Sequence, residues 1–391
     1  MPEQAIKDRT AIVGIGWTAF TAHSGTTVAN LAAEASLNAI ADAGIDKNLI
    51  DGVVTYCFLN DTFDGRQLAT TLGLEQCNFV VNERLGGGWA CSAIATAAMA
   101  VHAGLCNAVL VFRAMNGRSE RPMLDPQRTQ AIGQRQWTAP FGVYHAADTF
   151  GPYVTAHMAR YGTTSEDLGQ VAVLQRKHAL LNSKAMMKKS LTIEDHQASP
   201  WLSYPFRVLD TCLTSDGAVA LIVTSAERAR DLRQAPIGIM AALGGTLPPP
   251  RPWETNAVRA APRLYDGGGI TPSDIDLAEL YDPFTGMCLL HLEGFRLAGP
   301  GEGAAAIRAG QHGLDGRVPI NTHGGLLSEG YVHGLNHVVE AVQQLRPGGV
   351  VDDLCTGDHD FDREHCRQVR DPEIALVCAE AGDSSLLLRR L

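Results

Sequence analysis

From Asn321 to Gly334 the chain reads Asn-Thr-His-Gly-Gly-Leu-Leu-Ser-Glu-Gly-Tyr-Val-His-Gly. Asn321, His323, Ser328, Glu329, Tyr331 and His333 bring groups that donate, accept or move protons into one short stretch. The glycines free the backbone for left-handed turns and close approach. A turn does not need so many acid–base side chains, so the stretch reads as a site for proton transfer on a bound substrate. A second chemistry-bearing run is Glu279-Leu280-Tyr281-Asp282-Pro283-Phe284.

The elements around these residues must hold them. Val318-Pro319-Ile320 reads as a strand end, and Leu335 to Leu345 carries helical spacing. Earlier in the chain, Ala11–Gly16, Ile50–Phe58, Asn78–Val81 and Ala108–Ala114 read as buried strands. Helices are predicted over Thr26–Ala43, stopped by Gly44, and about Ala90–His102, stopped by Gly104. This alternation predicts an α/β protein whose sheet is buried on both faces. Between Asn116 and Asp210 the rhythm breaks. That segment carries Trp137, Phe141, Tyr144, Phe150, Tyr153 and Tyr161, with helices predicted at Pro152–Tyr161 and Ser165–Asn182. It reads as a lid layer over the core.

The second half repeats the first. Gly44-Ile45-Asp46 through Val54 has a counterpart in Gly269-Ile270-Thr271 through Leu280, and Ala218–Val223 has one in Ser384–Leu388. The loop Arg84-Leu85-Gly86-Gly87-Gly88-Trp89 with its helix matches the Gly324-Gly325 loop and the helix from Leu335. The organisation expected is residues 1–235, including a lid at 116–210, followed by residues 236–391. The two Gly-rich loops should meet near a pseudo-twofold axis, with both helix N-termini directed there.

The totals exclude several classes. A net charge of −10 over 391 residues, without a Lys/Arg run, argues against a nucleic-acid surface. No apolar run is long enough to span a membrane, and Met1-Pro2-Glu3-Gln4 lacks the pattern of a signal peptide. Nine cysteines without a C-x-x-C fit a reducing cytoplasm. Cys355, His359, His365 and Cys366 form a C-x3-H-x5-H-C cluster, which is not a standard ligand spacing. The four side chains could hold zinc, but the stretch reads better as an acidic solvated loop, and no metal is among the expected site groups.

Taken together, the duplicated halves, Thr214-Ser215-Asp216-Gly217-Ala218, the Tyr281-Asp282-Pro283-Phe284 run and Asn321-Thr322-His323-Gly324-Gly325 through Tyr331 resemble the thiolase superfamily over essentially the whole chain. The resemblance is to the sterol-carrier-protein type and, within it, the thiolase-like aldolases of bacterial steroid side-chain degradation. It implies a layered αβαβα thiolase fold. It also implies a nucleophilic Cys near Gly87, which this chain lacks; Cys91 lies about one turn later. Tyr331 stands where thiolases keep the His of Gly-His-Pro. Tyr281-Asp282-Pro283-Phe284 replaces a His-Asp-Cys-Phe. Cys378 lies near the second thiolase cysteine and reads as a vestige or packing residue.

The chemistry these replacements imply is retro-aldol cleavage of a β-hydroxyacyl-CoA, with Tyr281 and Tyr331 as acid–base groups. A Tyr base would need its pKa depressed, and Gly330-Tyr331 at a helix start offers that setting. His323 and backbone N–H groups at Gly87, Gly324 and Gly325 are the candidate oxyanion donors. His333 and His337 read as structural, and Asp282 as fixing the loop. The resemblance implies a steroid with a tertiary β-hydroxyl, such as 17-hydroxy-3-oxo-pregnene-20-carboxyl-CoA, cleaved to a 17-ketosteroid and propionyl-CoA. It implies no tightly bound cofactor, with CoA entering as part of the substrate and Lys184, Lys188 and Lys189 available for its phosphates. It also implies a homodimer with a small OB-fold, zinc-ribbon partner. The alternatives are a thiolase using Cys91 or Cys378, and a non-catalytic lipid-binding protein of the same fold.

Overall fold

The structure, a computed structural model, describes residues 6–58, 61–84, 86–120, 135–245, 247–249 and 251–391. The start of the chain, Leu85 and the stretch 121–134 of the expected lid lie outside the described residues. The first half alternates β1 (Thr10–Trp17), α1 (Val28–Ala43), β2 (Ile50–Tyr56), α2 (Gly65–Leu72), β3 (Phe79–Glu83), α3 (Ala90–His102) and β4 (Ala108–Asn116). The segment expected as a lid holds α4 (Arg135–Thr138), α5 (Ala146–Tyr161), α6 (Ser165–Leu180), α7 (Ile193–Ala198) and the hairpin β5 (Trp201–Ser203) with β6 (Phe206–Arg207). After β7 (Asp216–Ser225) come α8 (Ala226–Ala229), β8 (Ile237–Leu243), α9 (Ala257–Gly268) and β9 (Leu277–Leu280). The chain continues through α10 (Thr285–Gly294), α11 (Gly303–Arg308), α12 (Gly325–Ser328) and α13 (Leu335–Leu345). It ends with β10 (Ile374–Cys378) and β11 (Ser385–Arg390).

Among the described residues, nine strands form one mixed sheet in the order β3-β2-β4-β7-β1-β8-β11-β10-β9. The order reads as one unit used twice about the antiparallel meeting of β1 and β8, where Ala11 faces Gly238. β2 and β4 pair parallel, as do β9 and β10; β4 with β7 and β10 with β11 pair antiparallel. Even β3 has a counterpart, because Ile320 makes a single parallel bridge to Ala278 of β9. The Gly86 loop and the Asn321 loop therefore leave equivalent places in the two halves.

Alternation along β1 sends Ala11 and Val13 into a core with Leu31, Ala35 and Ala39 of α1. Ile12 and Ile15 face the opposite way, into a core shared with Ala93 and Ala97 of α3. Helices α3 and α13 touch each other between the half-sheets, while α1 and α9 cover the outer faces. This is the αβαβα layering that the resemblance implies. In the lid, α5 begins at Ala146 rather than at Pro152, because the Asp148 carboxylate accepts the N–H groups of Tyr144 (3.2 Å) and His145 (3.0 Å) and starts the helix earlier.

The Asn321 loop is held by charge buried beneath it. Asn321 imitates a strand: its Oδ1 accepts the Leu280 N–H (2.6 Å) and its Nδ2 donates to the Leu280 carbonyl (2.9 Å). Glu279, on β9, accepts the Thr322 N–H at 3.1 Å and pairs with His323 Nδ1 at 2.9 Å and His337 Nδ1 at 3.4 Å. The other His323 ring nitrogen faces Glu329 at 3.6 Å, and Arg367 pairs with Glu340 at 3.2 Å. Asp282 accepts the N–H groups of Leu326 (3.0 Å) and Leu327 (3.3 Å) and takes up His337 Nε2 at 3.1 Å. Removing one partner from such a set strands a charge out of water, at a cost of roughly 3–5 kcal/mol.

Burial alone would lower the His323 pKa, but the Glu329 and Glu279 carboxylates outweigh it and push it up to about 9. His323 therefore stays an imidazolium in the folded chain at pH values where the unfolded chain has lost the proton. The stabilisation is complete below about pH 6.5, the unfolded value, and is lost as pH rises through about 9. Thermal unfolding followed across that range should show the melting temperature falling on the alkaline side. His323→Gln should flatten that fall, and a flat wild-type profile would contradict the account.

Candidate active site

Two phenols meet where the halves meet. Tyr281 follows β9 and is 0 % exposed; Tyr331 lies between α12 and α13 and is 7 % exposed. Their hydroxyl oxygens are 3.1 Å apart. The Tyr281 ring lies against two glycine backbones. A Cβ at Gly87 would fall 1.8 Å from the phenol oxygen, and one at Gly334, where φ is +82°, would fall 2.6 Å from the ring. The Gly87 and Gly334 loops thus close on one phenol, as the repeat in the sequence predicts. Only glycine leaves the phenol room at these positions.

The phenols differ from expectation in charge. Burial raises the Tyr281 pKa well above its ordinary value, and the charges of Tyr331 and Glu380 raise it further. Burial also raises Tyr331, with Cys212 and Glu380 adding to it, while the hydrogen bond from Tyr281 and the charge of Arg113 oppose the rise. The expected depression at a helix start does not occur. Tyr331 sits before α13 rather than on its first turn, and its N–H donates to Ser215 Oγ at 2.6 Å. Both phenols are therefore neutral near pH 7 and keep the proton that a hydrogen-bond donor needs.

Other expected residues are placed elsewhere. His323 lies in the ionic network under the loop, with each ring nitrogen turned to a carboxylate, so it is not an oxyanion donor beside the phenols. Cys91 is buried within α3 with its thiol directed to the Val377 carbonyl at 3.7 Å, and burial together with Cys378 raises its pKa well above normal. Cys378 is buried at the end of β10, and burial pushes its thiol up to about 12. Neither thiol has the lowered pKa of a nucleophile. Gly324, at φ +103°, and Gly325, at φ +63°, shape the turn against Ala179 and Asp282. Lys184 is turned inward to Gln343 (2.9 Å) and the Trp17 ring (4.2 Å), so it is not free to bind a phosphate. Lys188 binds the carbonyls of Asn182 and Ser183, and both Lys188 and Lys189 are exposed.

Beside the phenols stand two further groups: Glu380, which escaped the sequence reading, and one that the sequence reads as structural but whose buried arginine partner it does not reveal. Glu380 follows Cys378, and burial, with Asp383 nearby, pushes its carboxyl up to about 7. Its turn, Glu380–Gly382, packs on the Gly86–Trp89 turn, where Ser384 Oγ donates to the Gly88 carbonyl at 2.6 Å. A lone carboxylate among Cys-Ala-Glu-Ala-Gly was the available signal. The second group is His333, whose ring meets Tyr331 edge-on at 4.9 Å. Arg113, buried on β4, donates to His333 Nδ1 through Nε at 3.1 Å and pairs with Asp61 at 2.7 Å. Because guanidinium only donates, His333 carries its proton on Nε2; burial and Arg113 hold it neutral, well below its usual pKa. An arginine in the apolar run Val-Leu-Val-Phe-Arg-Ala-Met was that signal.

Comparisons with known proteins agree with this architecture. Residues 250–352 match the family described as thiolase C-terminal domain-like. The 17-hydroxy-3-oxo-4-pregnene-20-carboxyl-CoA lyase of Mycobacterium tuberculosis is 40% identical over 358 residues, covering 87% of this chain and 92% of that protein. The steroid side-chain-cleaving aldolase of Thermomonospora curvata is 39% identical over 369 residues, covering 88% and 94%. The solved Ltp2-ChsH2(DUF35) aldolase superposes with a TM-score of 0.88 at 36% identity, covering 99% of each chain. The chain belongs to the thiolase superfamily, in the family of the steroid side-chain-cleaving aldolases.

Proposed function

We propose that this chain is a carbon–carbon lyase that cleaves a β-hydroxyacyl-CoA steroid by retro-aldol chemistry, with a 17-hydroxy-3-oxo-pregnene-20-carboxyl-CoA as substrate. The observation that carries the reading is the phenol pair, with Tyr281 Oη at 3.1 Å from Tyr331 Oη and directly over Gly87. The space near the expected thiolase nucleophile is filled by a phenol, so an enzyme thioester has no place there.

The reaction needs a proton taken from the β-hydroxyl, electrons moved from the Cα–Cβ bond onto the thioester as an enolate, and a proton returned to Cα. Glu380 is the group we assign as acceptor, because a carboxyl at about 7 is half-ionised at working pH. The neutral phenols supply the hydrogen bonds and the proton for the enolate, and N–H groups at the Gly87 turn are the assigned oxyanion donors. The product ketone leaves without CoA, and the short acyl-CoA keeps the CoA it arrived with. CoA enters only as part of the substrate, with Lys188 and Lys189 available to its phosphates.

We read the working enzyme as a cytoplasmic homodimer flanked by a DUF35-type partner. The solved relative named as an Ltp2-ChsH2(DUF35) aldolase supports the partner. Trp137, Phe141 and the adjacent pair Trp201 and Tyr204 are exposed apolar side chains available to such a contact. The nine free cysteines support a reducing compartment.

With such a substrate, Tyr331→Phe and Tyr281→Phe should each lower kcat by roughly 10²–10⁴-fold. Cys91→Ala and Cys378→Ala should stay within about threefold of wild type, and turnover should need no free CoA. Loss of turnover in a cysteine variant that keeps the wild-type melting curve would return the chain to the thiolases. Gly87→Ala should displace the Tyr281 phenol and abolish turnover while the chain remains folded by circular dichroism; an active Gly87→Ala enzyme would contradict the packing. The kcat profile should fall on the acid side of about pH 7 as Glu380 takes a proton, and Glu380→Gln should remove that limb together with most of the rate. An unchanged profile in Glu380→Gln would rule out its assigned role.

A further inference from the structure

The segment between α13 and β10 departs from the solvated loop that its composition suggests. Cys355 and Cys366 are each 1 % exposed, and with Val350 they form a small buried cluster apart from the main cores. His359 is half-buried beside them. Cys355 Sγ lies 3.6 Å from Cys366 Sγ and 3.4 Å from His359 Nδ1, and Cys366 Sγ lies 3.8 Å from that same nitrogen. His365, the fourth member of the sequence cluster, points away. It is exposed and pairs with Asp360 at 3.3 Å.

We propose that Cys355, His359 and Cys366 form a binding site for a tetrahedral, thiophilic cation, which in the cell is zinc. Zinc bonds of about 2.3 Å to sulfur and about 2.0–2.1 Å to nitrogen give tetrahedral edges of about 3.8 Å between sulfurs and about 3.6 Å from sulfur to nitrogen. The three observed separations match those edges. Packing alone does not account for the arrangement, since among the described residues Val350 is the one buried apolar side chain clustered with the two cysteines, and Phe361 reaches only the far side of the set, against the His359 ring at 6.1 Å. Two thiolates also neutralise a divalent cation, which suits a site withdrawn from water.

The backbone is shaped to present the ligands. Asp352 Oδ1 accepts the N–H groups of Leu354 (2.8 Å) and Cys355 (3.0 Å), and Val351 bridges Thr356, closing a tight turn that carries the first thiol. The Cys366 N–H returns to the Asp362 carbonyl at 2.8 Å, closing a second turn that carries the other. Gly349, at φ +61°, clears the imidazole: a Cβ there would fall 2.3 Å from His359 Nε2. Three ligands come from the chain, and the half-buried position of His359 leaves the fourth vertex to water.

A cation here would fasten the two turns that position Arg367. That guanidinium, next to Cys366 in sequence, pairs with Asp352 of the first turn and with Glu340 of α13. Glu340 in turn accepts the Thr322 hydroxyl at 2.8 Å, at the base of the loop that carries Tyr331. The ion is thus a structural clip joined to that loop through Arg367 and Glu340, and the inference stands whether or not the lyase reading does.

The test uses the full chain, purified without chelator, with zinc measured by mass spectrometry. Chelator-treated protein, kept reduced, is then titrated with Co²⁺ alone. The expected result is about one zinc per chain and, with cobalt, the thiolate charge-transfer and strong ligand-field absorption of a tetrahedral site. Cys366→Ser and His359→Ala should abolish or sharply reduce both. Wild-type chain that holds no zinc and develops no thiolate–cobalt absorption would overturn the proposal, without need of any variant. Metal retained undiminished in folded Cys366→Ser would also overturn it.

Discussion

The contact on which this site depends is the Tyr281 phenol oxygen over the Gly87 backbone. No side chain fits at Gly87 or at Gly334 while that ring is in place. The same ring brings its hydroxyl to Tyr331 and joins the loops of the two halves. Duplicated sheets joined at β1 and β8 bring the loops together, and the phenol makes the meeting point a site.

Burial decides the chemistry available there. A phenol taken out of water keeps its proton, and a neighbouring carboxylate strengthens that preference. The buried thiols of Cys91 and Cys378 are pushed the same way, which disables a thiol nucleophile but leaves a phenol useful as an acid. The imidazolium of His323 shows the opposite balance, since two carboxylates overcome the cost of burial and lock the cation in place. Beneath a pair of neutral phenols there is thus a buried charged frame whose members turn to one another. The frame fixes the loop, and in the proposed reaction the neutral pair is the part that meets the developing enolate.

Much of this was legible in the sequence. Period and stop signals placed α3 at Ala90–His102 and α13 at Leu335–Leu345, because apolar spacing and glycine stops act locally. The pairing of the loops followed from the repeat. The charge states did not follow, because they depend on neighbours far apart in the chain: Glu279 under His323, Glu380 beside Tyr281, Arg113 behind His333. Lys184 looked free for a phosphate only because its partners, Gln343 and Trp17, come from distant elements. The Cys355 cluster is more buried than the solvated loop its composition suggests, for a related reason. Its spacing is irregular, and only the folded turns bring the ligand atoms of three of its four candidates within 4.8 Å of one another.

The most direct test of the central claim is to cleave a β-hydroxyacyl-CoA steroid in the presence of excess isotopically labelled free CoA and follow the label by mass spectrometry. The account predicts a ketosteroid free of CoA and a short acyl-CoA without label, because the bond breaks without an enzyme thioester. Label appearing on either acyl fragment would contradict it and establish a thiol-dependent transfer.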